Sequence, residues 1–171
     1  MTSAGSFATP KGLTVGLSQL NPLVGDLAGN EAKILADYAK AEAAGCHVVV
    51  YPELTITGYP PEDLLLKKAF VRDNELAVER IAKATKGCAA LIGFVKADGD
   101  HLHNAVALCR NGGVQGVYLK QLLPNYAVFD EDRYFTPGPA LVNGAAAGLF
   151  SLDHVTVGVT ICEDIWYADG P

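Results

Sequence analysis

Residues 13–51 narrow the architecture open to this chain more than any other stretch: an apolar strand pattern, a helical pattern and a second apolar strand pattern follow one another with little between them. In LTVGLSQL, Leu13, Val15 and Leu17 share one face at the period of two that a strand imposes. Asn21, Pro22 and Gly25 break that run. From Asp26 or Asn30 the chain repeats Ile34, Leu35, Tyr38 and Ala41 at helical spacing and stops at Gly45, a common helix terminator. CHVVVY, residues 46–51, is a short continuous apolar run of the kind buried on both faces of a sheet. Strand, helix and strand in that order predict a right-handed βαβ unit with parallel strands, hence an α/β fold.

The remaining elements are expected around that unit. PELTITGYPP, residues 52–61, is a loop at the C-terminal end of the second strand. Residues 62–85 are expected to be helical with a break near 66–70, turning Leu76, Ile81 and Ala84 inward. Residues 88–95 form the next strand, and Asp98-Gly99-Asp100 a turn. Residues 103–110 and 114–119 read as an antiparallel pair joined by Asn111-Gly112-Gly113, a strong hairpin signal. Residues 120–139 are long and irregular, and an ordered loop of that length in a compact domain is usually functional. Short strands near 140–143 and 149–152 precede Val155–Ile161, whose alternation of Val and Ile with Thr and Gly predicts a stiff, buried strand ending at Cys162.

Half of the 171 residues are hydrophobic, enough for one domain with a real core. A formal charge of −6 leaves no electrostatic footprint for nucleic acid or anionic lipid. No apolar run reaches the roughly 18 residues that span a membrane, and MTSAGSFATPKG lacks the apolar core of a signal peptide. The four cysteines are widely spaced with no C-x-x-C pair, which argues against zinc and for a reducing compartment. A cytoplasmic protein with a flexible leader over residues 1–12 is expected.

Three chemically useful residues, Glu53, Lys120 and Cys162, lie at or within two residues of the ends of predicted strands. In an open α/β sheet such ends border the binding crevice. A carboxylate takes a thiol proton, an ammonium stabilises an oxyanion, and a thiolate attacks an amide carbon. Read from the residues alone, Cys162 is either this nucleophile or a small buried hydrophobe.

The phrases YPELTITGYPPEDLL, LKQLLPNYAVFDEDRYFTPG and GVTICEDIW, with the opening QLNPLVGDLAGN, resemble the nitrilase superfamily of carbon-nitrogen hydrolases. Within it they are most similar to the amide-hydrolysing domains of glutamine-dependent NAD⁺ synthetases. The resemblance implies a four-layer α-β-β-α sandwich, present here as an N-terminal portion: an amidase domain over residues 13–171, incomplete at its C-terminus, with the synthetase domain absent. It implies Glu53 as general base, Lys120 as transition-state stabiliser and Cys162 as nucleophile. Tyr126 and Glu163 would hold the α-amino end of glutamine, and Glu131 would support the triad by hydrogen bonds. Ammonia from glutamine would serve ATP-dependent amidation of deamido-NAD⁺ in the synthetase domain of the same polypeptide. ATP and magnesium belong to that domain, and no cofactor is expected in this portion. A homo-oligomer is expected. Two other readings stay open: a stand-alone amidase, carbamoylase or nitrile hydrolase of the superfamily, and a non-catalytic truncated or interaction module.

Other residues are expected to be ordinary. His101 and His103 lack a third ligand at fixed spacing, so no metal site is expected. His47 reads as a satisfied core group, and Cys46, Cys88 and Cys109 as packing residues. Asp63, Arg72 and Asp73 read as helix surface.

Overall fold

The computed structural model describes residues 12–142, 145–168 and 170–171. The expected leader, apart from Gly12, and Asn143 of the expected strand near 140–143 lie outside the described residues.

Strand β1 (Val15–Leu17) pairs in parallel with β2 (Val48–Val50), and β2 in parallel with β3 (Ala89–Asp98). Between the first two runs helix α1 (Leu27–Ala43), as the spacing of Ile34 and Tyr38 requires. Its start is set by Asp26, whose carboxylate accepts the Gly29 N–H at 2.9 Å. Its end is set by Gly45 at φ +74, which lets the Gly45 and Cys46 N–H groups turn back onto the carbonyls of Glu42 and Ala41.

The second helical run divides as expected. A 3₁₀ turn over Glu62–Leu66 leads through extended Lys67 into α2 (Lys68–Ala84). The inward face differs, however. Ile81 is buried, but Leu76 and Ala84 are exposed, and Val71, Asn74, Ala77, Val78 and Ala82 complete the packed face. The buried face is centred on Ala77 and Ile81, four residues apart on one stripe, and Leu76 falls about 100° away from Ala77.

β3 turns at Gly99-Asp100 into β4 (His101–Arg110), and β4 turns at Asn111-Gly112 into β5 (Gly113–Leu119), both antiparallel. Asn111 and Gly112 both take positive φ, as a two-residue hairpin loop twisting with its strands demands. The five-stranded sheet therefore has the order β1-β2-β3-β4-β5. Since β4 reverses twice, β2, β3 and β5 run the same way, and the exits of β2 and β5 share one edge.

One face of the sheet packs on α1 and α2 through Ile34, Tyr38, Val78 and Ile81 against Val49, Ala90 and Ile92. Each fully buried aliphatic side chain there contributes about 1.5–3 kcal/mol. The opposite face, with Val48, Ala89, Leu91, Val106 and Tyr118, packs against Leu152 and Ile161. These last two come from a separate region in which β8 (Leu149–Leu152) pairs antiparallel with β9 (Val155–Gly158), preceded by the small pair β6 (Leu141–Val142) and β7 (Ala145–Ala146).

The expectation of a buried Val155–Ile161 strand is thus corrected. β9 is not a member of the main sheet and stops at Gly158, and its residues alternate between half-buried and exposed. Val157 packs on the outer face of the five-stranded sheet while Thr156 and Gly158 are exposed, so the alternation is real but only one side is covered. Helices, five-stranded sheet and the β8–β9 ribbon on its other face stack in the order α-β-β, three of the four layers of the expected sandwich. His47 is also corrected: it is exposed, with its Nδ1 accepting the Thr14 N–H at 3.0 Å.

Candidate active site

The β2 exit leads through Pro52 into a compact turn carrying Glu53, and Leu54 there holds φ +47. This turn lies directly on Gly93 of β3, where an added Cβ would meet Pro52 O at 2.5 Å and Leu54 N at 2.6 Å. Ile56 N–H donates to the Gly93 carbonyl. The absence of a side chain at Gly93 is what lets Glu53 come so close to the sheet.

Lys120 directly follows β5, and its backbone N–H donates to Asn104 O on β4. Its side chain is fully buried, and its Nζ donates to Glu53 Oε1 at 2.7 Å and to Glu131 Oε2 at 2.9 Å and Oε1 at 3.1 Å. Glu131 opens a short 3₁₀ turn (Glu131–Arg133) within the long irregular segment and is itself buried, with Tyr59 O–H donating to its Oε1 at 3.2 Å. Burial by itself would lower the Lys120 pKa. The charges and hydrogen bonds of Glu53 and Glu131 more than offset this, and it stands above the ordinary lysine value. Burial raises Glu131, with Lys120 pulling the other way. The cluster is therefore a fixed ammonium held between carboxylates.

Cys162 begins a 3₁₀ turn (Cys162–Ile165) and adopts φ +44, a strained conformation for a residue with a side chain. It is exposed, whereas Cys88 and Cys109 are buried, their thiols pushed up by desolvation to about 11 and about 12. Cys162 and Glu53 line one cavity of about 130 Å³, together with Asn104, Gly93 and Ile161. Partial burial first, then the Glu53 charge, raises the Cys162 thiol, and Lys120 opposes without cancelling them. The thiol needs a proton acceptor to become a nucleophile at neutral pH.

Beside it, Glu163 is buried and accepts a hydrogen bond from Tyr126 O–H at 3.0 Å, while Tyr126 itself is half exposed and packs edge-on against Phe129. The structure thus brings Glu53, Lys120 and Glu131 into one hydrogen-bonded cluster, sets Cys162 in the same cavity as Glu53, and pairs Tyr126 with Glu163. A larger cavity of about 490 Å³ shares Tyr59 and Glu131 with the cluster but is not lined by Cys162.

Four supporting residues escaped the sequence reading. Asn104, on β4, donates from Nδ2 to Glu53 Oε1 at 2.6 Å. Its signal is a lone amide at the head of the apolar run Ala105–Cys109. Tyr59 sits in a loop too irregular to read for pairing. Asp164, buried without a cation, accepts the N–H groups of Gln121 and Leu122 on Oδ1, and Ile161 N–H and Tyr118 O–H on Oδ2. It ties the segment after Lys120 to the residue before Cys162, with Tyr118 as the fourth member of that link.

Among the described residues no group of three His, Cys, Asp or Glu is arranged to hold a metal. The Nδ1 atoms of His101 and His103 instead face Thr136 Oγ1 and Thr136 O. No helix among the described residues is long and apolar enough to cross a membrane.

The chain is 45% identical over 158 residues to a glutamine-dependent NAD(+) synthetase of Thermotoga maritima, covering 91% of this chain and 26% of the relative. It is 42% identical to the corresponding protein of Xylella fastidiosa, covering 92% of this chain and 28% of that protein. The chain therefore spans about a quarter of the length of these relatives. Among solved structures, a glutamine-dependent NAD⁺ synthetase of Acinetobacter baumannii superposes with a TM-score of 0.81 at 35% identity, over 89% of this chain and 28% of that one. An amidase from Nesterenkonia superposes with a TM-score of 0.77 at 20% identity, over 96% of this chain and 61% of that one, a likeness of fold. Residues 14–170 match the family described as carbon-nitrogen hydrolase, and the chain belongs to that family.

Proposed function

We propose that this chain is the glutamine-hydrolysing portion of a glutamine-dependent NAD⁺ synthetase, with Cys162 as nucleophile, Glu53 as general base and acid, and Lys120 as the electrostatic stabiliser. The observation that carries the reading is the fully buried Lys120 ammonium shared by Glu53 and Glu131, with Glu53 lining the cavity of the one exposed thiol among the described residues.

Glu53 accepts the Cys162 proton as sulfur attacks the side-chain amide carbon of glutamine, and the carbonyl π electrons move onto oxygen. The resulting oxyanion is held by Lys120 and the Glu163 backbone N–H. The C–N bond then breaks as Glu53 returns its proton to nitrogen, releasing ammonia and leaving a thioester. Water gives a proton to Glu53 and adds to the thioester, and glutamate departs as the proton returns to sulfur. Glu163, oriented by Tyr126, is an anion suited to the substrate's α-ammonium. Glu131 holds the ammonium of Lys120 in place.

The ammonia would be consumed in ATP- and magnesium-dependent amidation of deamido-NAD⁺ by a synthetase domain of the same polypeptide, and the hydrolytic portion itself needs no cofactor. The assembly is a cytoplasmic homo-oligomer in this reading.

The test is mass spectrometry after exposure to an electrophilic glutamine analogue. Selective modification of Cys162, slowed about 100-fold in Glu53→Ala and Lys120→Ala, is expected. Labelling spread over Cys46 and Cys162 alike, or indifferent to both substitutions, would overturn the assignment.

A further inference from the structure

Among the described residues three asparagines are almost completely buried, and two of these are fully used by the backbone. Asn30 accepts Leu23 N–H and donates to the carbonyls of Leu23 and Ile56. Asn74 accepts Val95 N–H and donates to the carbonyls of Val71 and Val95. Both tie segments of the fold together. Asn104 does neither: its side-chain nitrogen donates to Glu53 Oε1 and its Oδ1 is left without a partner. An unpaired buried acceptor costs about 1–3 kcal/mol, so packing alone does not account for an amide here. The orientation is also fixed, because an ionised carboxylate only accepts and the amide must present nitrogen to it.

Asn104 Nδ2 and Lys120 Nζ converge on the same oxygen, at 2.6 and 2.7 Å. Oε1 is thereby committed to two donors, and Oε2 is the oxygen left with lone pairs for exchange of a proton. Lys120 alone could not define this, since it is also held by Glu131 and brings a positive charge that attracts either oxygen.

We propose that Asn104 is the positioning residue of Glu53: it locks Oε1, selects Oε2 as the proton-transfer atom, and supplies a neutral donor that favours the ionised carboxylate. The inference rests on Glu53 serving Cys162 as base. The charged and titratable groups around Glu53 are Lys120, Glu131, Tyr59 and Cys162. Asn104 is the contact beside them that does not titrate, and its replacement by Ala changes no charge.

The experiment is the pH dependence of Cys162 alkylation by iodoacetamide, read peptide by peptide by mass spectrometry in the wild type, Glu53→Gln and Asn104→Ala. Asn104→Ser, too short to reach Glu53, takes the place of Ala if that variant fails to fold. Glu53→Gln is expected to abolish the acidic rise in rate, leaving a single rise from the thiol itself. In a folded Asn104 variant the acidic rise is expected to move up by about one pH unit, because loss of a donor disfavours the ionised carboxylate. An acidic rise that Glu53→Gln removes but the Asn104 variant leaves in place, even with a lowered Tm, overturns the positioning role. A profile that Glu53→Gln leaves unchanged would instead remove Glu53 as the base, and both readings with it.

Discussion

Lys120 Nζ lies 2.7 Å from Glu53 Oε1, on a side chain with no solvent exposure. The contact joins the exits of two strands far apart in sequence, and it leaves an ammonium that water cannot screen. Its energetics follow from that isolation.

Replacing Lys120 by Met should cost about 3–5 kcal/mol, because Glu131 would remain buried without its cation. In the variant nothing from Lys120 opposes the upward pull of burial on Glu131, so acidification should recover part of the loss by protonating it. The wild type should show the opposite limit in alkali. Lys120 binds its proton more tightly folded than unfolded, so its contribution is complete below the unfolded lysine value of about 10.4 and is lost as pH rises through the higher folded value. Urea unfolding of both proteins from pH 5 to 11 checks both signs. A Met variant that loses no stability at neutral pH would contradict the arrangement.

Gly93→Ala should disturb the site without touching any charged group. The new methyl would stand 2.5 Å from Pro52 O and 2.6 Å from Leu54 N, both backbone atoms that cannot rotate away. The Glu53 turn must lift from β3, so a loss of at least 10-fold in Cys162 labelling by the glutamine analogue is expected, with destabilisation of about 1–3 kcal/mol. Unchanged labelling in a folded variant would show that the turn has slack.

Asp164→Asn should loosen the link between the Lys120 and Cys162 segments. An amide can keep the acceptor facing Gln121 and Leu122, but its NH₂ then meets Ile161 N–H donor to donor. The strained Cys162 turn loses its cap, and a stability loss of about 1–3 kcal/mol is expected. Tyr118→Phe removes only one of the four donors and should cost less. Thermal unfolding of the two variants side by side gives the order.

The strand-helix-strand beginning, the α2 break at Lys67 and the Asn111-Gly112 hairpin were legible because each rests on local chemistry: side-chain period, a helix cap, or a backbone angle that particular residues tolerate. Residues 155–161 were misread because periodicity records that alternate side chains are apolar and says nothing of which sheet they join. The inward placing of Leu76 and Ala84 failed similarly, since the buried stripe of α2 is set by where β3 and α1 lie against it.

The candidate site divides along the same line. The sequence by itself determined the helices, the β3–β5 hairpins and, through its family phrases, the residues worth watching. Only the tertiary structure decided that β5 returns to the edge where β2 ends, that Glu131 folds back onto Lys120, that Asn104 presents nitrogen to Glu53, and that Asp164 fastens the Cys162 turn. Asn104 and Glu53 are 51 positions apart, and even the nearer pairs meet only through distances and orientations that no local pattern encodes.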